Sequence, residues 1–168
     1  MSRNRLLVIV ALLLAGAVVP ATVQAQTAQA NLAVSATVIR NCTITAGTLA
    51  FGNYDPIVAN AATPLDQTGT FTVTCTRGGA TAVWVGMDNG ANYLVPNRRM
   101  TDGTEFLNYE LYSDAGRTTV WGNTSGTGLA VTPNGRVPVT VTVYGRVPQA
   151  QDVAAGSYTD TVVMTVNF

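Results

Sequence analysis

Apolar and polar side chains alternate along most of this chain, and the period is two. In FTVTCT, Phe71, Val73 and Cys75 stand against Thr70, Thr72, Thr74 and Thr76. In VPVTVTVYG, Val137, Val139, Val141 and Val143 stand against Pro138, Thr140, Thr142 and Tyr144. Leu107, Tyr109 and Leu111 alternate with Asn108 and Glu110, and a shorter apolar run surrounds Trp84. Alternation rich in β-branched residues and threonine predicts half-buried strands. The chain closes on GSYTDTVVMTVNF, where Tyr158, Val162, Met164, Val166 and Phe168 form one apolar face and Asp160 is its single exception. This predicted strand is among the most apolar, yet no residues follow it in the sequence to pair along its far edge.

Turn signals separate the strands: Asp88-Asn89-Gly90, Asp102-Gly103, Asp114-Ala115-Gly116 and Pro133-Asn134-Gly135. No window beyond the first residues has the period of an amphipathic helix. Strands at this spacing without helical crossovers predict an all-β, antiparallel sandwich.

The N-terminus reads differently. Arg3 and Arg5 precede an apolar run from Leu6 to Val19, then Pro20 and the small-residue site Val23-Gln24-Ala25. This is the pattern of a secretory signal peptide over residues 1–25, too short for a membrane anchor. What remains, residues 26–168, is the size of one domain, with no second run long enough to cross a bilayer. QTAQANLAVSATVIRNC follows the cleavage site, with Ala28, Ala30, Leu32, Val34, Ala36 and Val38 on one face. That alternation outlasts an ordinary strand of about five or six residues. It is either one long first strand, or a segment that pairs elsewhere followed by the domain's own first strand ending at Cys42.

Charge and chemistry narrow the function by exclusion. Without the leader, seven arginines face nine carboxylates, a net charge of −2, and the chain has no lysine and no histidine. No basic field is available to condense onto nucleic acid. Without histidine there is no Ser-His-Asp or Cys-His arrangement. The acid pairs Asp102 with Glu105 and Glu110 with Asp114 could serve glycoside hydrolysis, but Asp102 and Asp114 sit in turn signals where carboxylates cap backbone amides. Asp88-Asn89-Gly90 reads as a hairpin turn before it reads as part of a calcium site. Trp84 and Trp121 could stack on a sugar, and fit core or groove-lining positions better. No catalytic residue, metal site or cofactor is expected. Two cysteines in an exported chain, Cys42 and Cys75, predict a disulfide.

CTITAGTLAFGNYDP, LNYELYSD, VWGN and VTVYGRVPQAQDVAAGSYTDTVVMTVNF, in this order around Cys42 and Cys75, resemble the spore coat protein U family. That family includes subunits of archaic (Csu-type) chaperone–usher pili. The resemblance implies an incomplete immunoglobulin-like antiparallel sandwich lacking its last strand and completed by donor-strand exchange. It divides the mature chain into a donor segment, residues 26–35, and a sandwich domain, residues 36–168. Ala28, Ala30, Leu32 and Val34 become the donor strand, and Tyr158, Val162, Met164, Val166 and Phe168 an acceptor groove. The implied partners are a periplasmic chaperone, an outer-membrane usher and other copies of the chain or related subunits. Neither nucleic-acid binding nor membrane insertion is expected. The implied destination is an extracellular fibre at the cell surface, for adhesion and biofilm formation. The alternatives are a monomeric secreted binding module with the N-terminal strand in its own groove, and a coat-type structural protein.

Overall fold

The computed structural model describes residues 23–78 and 82–168. The leader expected over residues 1–25 lies, apart from its last three residues, outside them. The chain divides into two units, Met1–Ala36 and Thr37–Phe168. In the first, residues 23–36 carry no helix or strand and every side chain is exposed.

The second unit is all-β among the described residues. Its strands are β1 (Cys42–Thr45), β2 (Leu65–Cys75), β3 (Val83–Met87), β4 (Arg98–Thr101), β5 (Phe106–Tyr112), β6 (Leu129–Val131), β7 (Val139–Val147) and β8 (Met164–Asn167). They form a five-stranded sheet in the order β1-β2-β7-β5-β4 and a three-stranded sheet in the order β6-β3-β8. Every ladder is antiparallel. This is the antiparallel sandwich that the alternation and turns predict, in the immunoglobulin-like form that the family resemblance implies.

The period of two sorts the side chains. Phe71, Val73 and Cys75 of β2, Leu107, Tyr109 and Leu111 of β5, and Val141, Val143 and Val147 of β7 turn inward from the larger sheet. Val83, Val85 and Met87 of β3 and Val131 of β6 meet them from the smaller one. Thr72 and Thr74, in the same strands as their apolar neighbours, stay outside the core. Trp121, in the connection between β5 and β6, is fully buried. Its backbone amide donates to Leu111 O (2.9 Å) and its side-chain Nε1 donates to Val85 O (2.8 Å), so one residue bridges the two sheets. Trp84 takes the opposite face of β3 and is only half-buried, lying against Gly86 and Gly128. It is therefore not a core residue, because the pleat that buries Val83 and Val85 points it away.

Two features differ from the pattern reading. The domain's first strand begins at Cys42 instead of ending there. Its partner β2 stops at Cys75, opposite Cys42, and Asn41 and Thr76 close the ladder by Thr76 N donating to Asn41 O (2.8 Å). The predicted closing strand is also shorter. Only Met164–Asn167 forms a ladder, with β3.

Arg98 gave no signal in the sequence. It is 2% exposed. Its Nε donates to Asp88 O (2.9 Å), its Nη2 to Asp88 O (2.7 Å) and Trp121 O (2.7 Å), and its Nη1 to the Glu110 carboxylate. Such a cation is tolerated in a core only because each of its polar directions has an acceptor.

Cys42 and Cys75 are joined by a disulfide across 33 residues of sequence. A loop of that length constrains the unfolded chain by about 3–4 kcal/mol in the chain-entropy account. The Cys42→Ala/Cys75→Ala variant should lower the urea-unfolding free energy by about that amount, with little change in the β-sheet circular dichroism of the folded state. Arg98→Met should cost about 3–5 kcal/mol, because it strands the Glu110 carboxylate and the carbonyls of Met87, Asp88 and Trp121. Scanning calorimetry should then show a Tm lower by roughly 10 °C.

Candidate functional site

Glycines on the larger sheet decide where the next element lies. Residues 47–54 follow β1 and cross the inner face of β2 and β7. A Cβ on Gly69 would stand 2.9 Å from Thr48 O, and one on Gly145 would stand 2.7 Å from the Phe51 ring. Bare backbone at these two points lets Leu49 and Phe51 pack down as half-buried side chains. The end of the crossing is pinned by Tyr54, whose Oη donates to Pro148 O (2.8 Å) and accepts from Gln151 N (2.9 Å).

A turn follows at residues 55–60. The Asp55 carboxylate accepts from Ile57 N (2.9 Å) and Val58 N (3.1 Å), while Asn60 Oδ1 accepts from Asp55 N (3.0 Å). These backbone amides, Ile57 first, hold the Asp55 carboxyl below its ordinary value of 3.8.

Opposite this crossing runs the segment that leads into β8. Thr159 exchanges main-chain hydrogen bonds with Thr101 (both 3.0 Å), Ala91 N donates to Thr161 O (3.1 Å), and Asp88 N donates to Val163 O (3.0 Å). Asp88 Oδ1 in turn accepts from Val163 N (2.9 Å) and Gly90 N (2.9 Å). All these bonds lie on one side of the segment. Among the described residues, no hydrogen bond joins residues 158–167 to β1 or to residues 47–54.

Between the two lies an open cleft of about 1070 Å³. Its floor is the inner face of the larger sheet: Phe71, Leu107, Tyr109, Leu111, Val143 and Val147. Residues 47–54 form one wall. Residues 153–156 and 158–162, with Met164, form the other. β1 and β8 are each the last strand of their sheet; β8 contributes Met164 to the cleft, and residues 47–54, which follow β1, form the wall opposite.

Of the expected acceptor residues, Tyr158, Val162 and Met164 line the cleft. Val166 is half-buried opposite Val85 in the β8–β3 ladder, and Phe168 is 50% exposed beyond the strand end; neither lines it. The floor residues were visible in the sequence as core positions, but nothing local marks them as the floor of a cleft. Leu32 and Val34 are 87% and 85% exposed, and Ala28 and Ala30 are exposed as well.

The acid pairs considered for hydrolysis have other occupations. Asp102 Oδ1 accepts from Thr104 N and Glu105 N (both 2.8 Å), and Asp114 Oδ1 from Thr119 N (2.7 Å). Glu110 pairs with Arg98, and Glu105 Oε2 accepts from Ala154 N (2.6 Å).

Residues 28–165 match the family described as Spore Coat Protein U domain. The chain is 44% identical over 157 residues to Protein U of Myxococcus xanthus, covering 86% of this chain and 87% of that protein. Its fold is similar to that of a chain in the CsuC–CsuE chaperone–tip adhesion subunit pre-assembly complex from the archaic chaperone–usher Csu pili of Acinetobacter baumannii. That similarity has a TM-score of 0.57 at 23% identity, over 79% of this chain and 40% of the solved one. The present chain thus spans about two fifths of that solved chain, and the likeness is one of fold.

The turn beside the cleft predicts a response to acid. Because the folded state holds the Asp55 carboxyl below 3.8, its contribution is complete above the unfolded value and is lost as pH falls through the folded one. Asp55→Asn should be less stable than the parent chain at pH 7. The two urea midpoints should converge as pH is lowered towards 3, and a constant difference across that range would contradict the assignment.

Proposed function

Because this chain belongs to the spore coat protein U domain family, we propose that it is a structural, non-enzymatic subunit of a surface fibre. Its cleft takes the N-terminal donor segment of another copy or a related subunit. One observation carries this reading: the apolar inner face of the larger sheet lies open between residues 47–54 and residues 153–162, and among the described residues no main-chain hydrogen bond joins these two walls. The chain itself contains a segment suited to fill such a gap. Residues 26–35 present Ala28, Ala30, Leu32 and Val34 at every second position, matching the pleat of a strand laid on an apolar floor.

An open apolar edge invites uncontrolled pairing, so a periplasmic chaperone occupies the cleft first in this scheme. At an outer-membrane usher the donor segment of the incoming subunit replaces it. The product is an exported fibre at the cell surface, serving adhesion and biofilm formation. A coat-type assembly is the second reading; the family's description favours it, and it would use the same cleft and donor.

Leu32 is the largest donor side chain, and its full burial is worth roughly 1.5–3 kcal/mol. An aspartate at the same place must shed its water without a partner. Leu32→Asp or Val34→Asp should therefore abolish fibres in electron micrographs while the subunit still co-purifies with its chaperone. Asn31→Asp and Ser35→Asp, on the other face, should assemble normally. Normal fibres from Leu32→Asp would place the donor elsewhere, and loss of the chaperone complex would place Leu32 in the subunit's own core.

A further inference from the structure

The one charged residue in the closing stretch, Asp160, occupies a position where the alternation calls for an apolar side chain. A carboxylate on an apolar face is costly unless donors surround it. Here they do. Asp160 Oδ1 accepts from Ala91 N (3.0 Å) and Asn92 Nδ2 (3.1 Å), and Oδ2 accepts from Tyr109 Oη (2.7 Å). Gly90, at φ +81°, lies so close that a Cβ there would stand 2.1 Å from Asp160 Oδ2. The turn that meets this carboxylate is thus built around it.

Tyr109 links the two sides of the cleft. It rises from β5 on the floor and is 5% exposed. Its ring meets Phe51 of one wall edge-on, with centroids 6.0 Å apart and planes at 63°. Its hydroxyl reaches Asp160 of the other wall. A single rigid side chain therefore touches both walls, and its contacts are of different kinds: packing on one side, a charge-assisted hydrogen bond on the other.

We propose that Tyr109 and Asp160 hold the two walls apart while the cleft is empty, making Asp160 a positioning residue for strand capture. This rests on the cleft being a strand acceptor. In an empty cleft the hydrophobic effect draws Leu49 and Phe51 towards Val162 and Met164. Among the described residues, no main-chain pairing on the cleft side of residues 159–163 resists that closure. The Tyr109 ring blocks it sterically, and the bond to Asp160 fixes the accepting wall to the ring. A donor strand then meets an edge already in place. The rate of capture scales with the fraction of molecules in that open arrangement, whereas a seated donor keeps the walls apart by itself.

The test uses the full chain, expressed with its leader and recovered as unassembled subunit, and a fluorescent peptide of residues 26–38. Association and dissociation are followed separately by anisotropy. Tyr109→Phe, which keeps the ring, and Asp160→Ala should each slow association on the order of tenfold and leave dissociation within about twofold. Asp160→Asn, whose Oδ1 can still accept from Ala91 N while its Nδ2 donates to Tyr109 Oη, should recover much of the loss. The Tyr109→Phe/Asp160→Ala double variant should be no slower than Asp160→Ala alone, since the bond lost in the first is already lost in the second. Near-ultraviolet circular dichroism verifies folding, and Tyr109→Phe keeps the test decisive if Asp160→Ala unfolds. Unchanged association in Tyr109→Phe overturns the proposal while the strand-acceptor reading stands. Faster dissociation with unchanged association also overturns it, by placing the bond in the filled cleft. Failure of the parent chain to capture the peptide overturns the acceptor reading itself.

Discussion

Main-chain amides and carbonyls on a strand edge need partners, and in this sandwich two edges meet that need only halfway. β1 and β8 close their respective sheets, each paired on one side. Ordinary sandwiches resolve such edges with a further strand, a bulge or charged side chains. This one leaves an apolar floor open between residues 47–54, which follow β1, and the segment that leads into β8. Much else in the domain can be understood as accommodation to that choice. Gly69 and Gly145 admit the crossing at residues 47–54, and the bonds from Asp88, Ala91 and Thr101 tie down the opposite wall from behind.

The polar groups near the cleft are arranged in depth. Arg98 lies behind the turn at residues 88–92, drawing together the Asp88 carbonyl, the Trp121 carbonyl and the Glu110 carboxylate. Trp121 ties the sheets together at the same place through Val85 O. The sandwich is thus fastened by directional bonds on the side of residues 158–163, where hydrophobic packing is incomplete because part of the core is open to the cleft. Directional bonds suit that task, since they specify a separation, while apolar contact alone favours whatever closes the gap.

The sequence made the strands of the larger sheet legible because their two faces see different surroundings. Phe71, Val73 and Cys75 alternate with threonines, and the pleat does the rest. Turns at Asp102-Gly103 and Pro133-Asn134-Gly135 were legible from their own chemistry, with positive φ at Gly103 and Gly135. The site was legible only at its rim. Tyr158, Val162 and Met164 announce an apolar edge, but whether an edge is covered depends on sheet order, which no local pattern encodes. The same holds for the closing strand. Alternation continues through residues 158–168, while a ladder forms only where β3 supplies a partner, so Val166 belongs to the β8–β3 pairing and not to the cleft. Arg98 was illegible for the opposite reason: its burial depends on acceptors contributed by three separate parts of the chain.

The bond between Cys42 and Cys75 acquires another meaning when the chain is under tension. β1 is an edge strand of four residue pairs, and a pull arriving from residue 41 would unzip those pairs one at a time, the mode in which a ladder is weakest. The disulfide transfers the pull to Cys75, the last residue of the eleven-residue β2, which has β1 on one side and nine residue pairs with β7 on the other. Force entering there is shared among many hydrogen bonds at once, deep in the larger sheet. In mechanical terms the bridge moves the anchor point from the hem of the fabric to its weave.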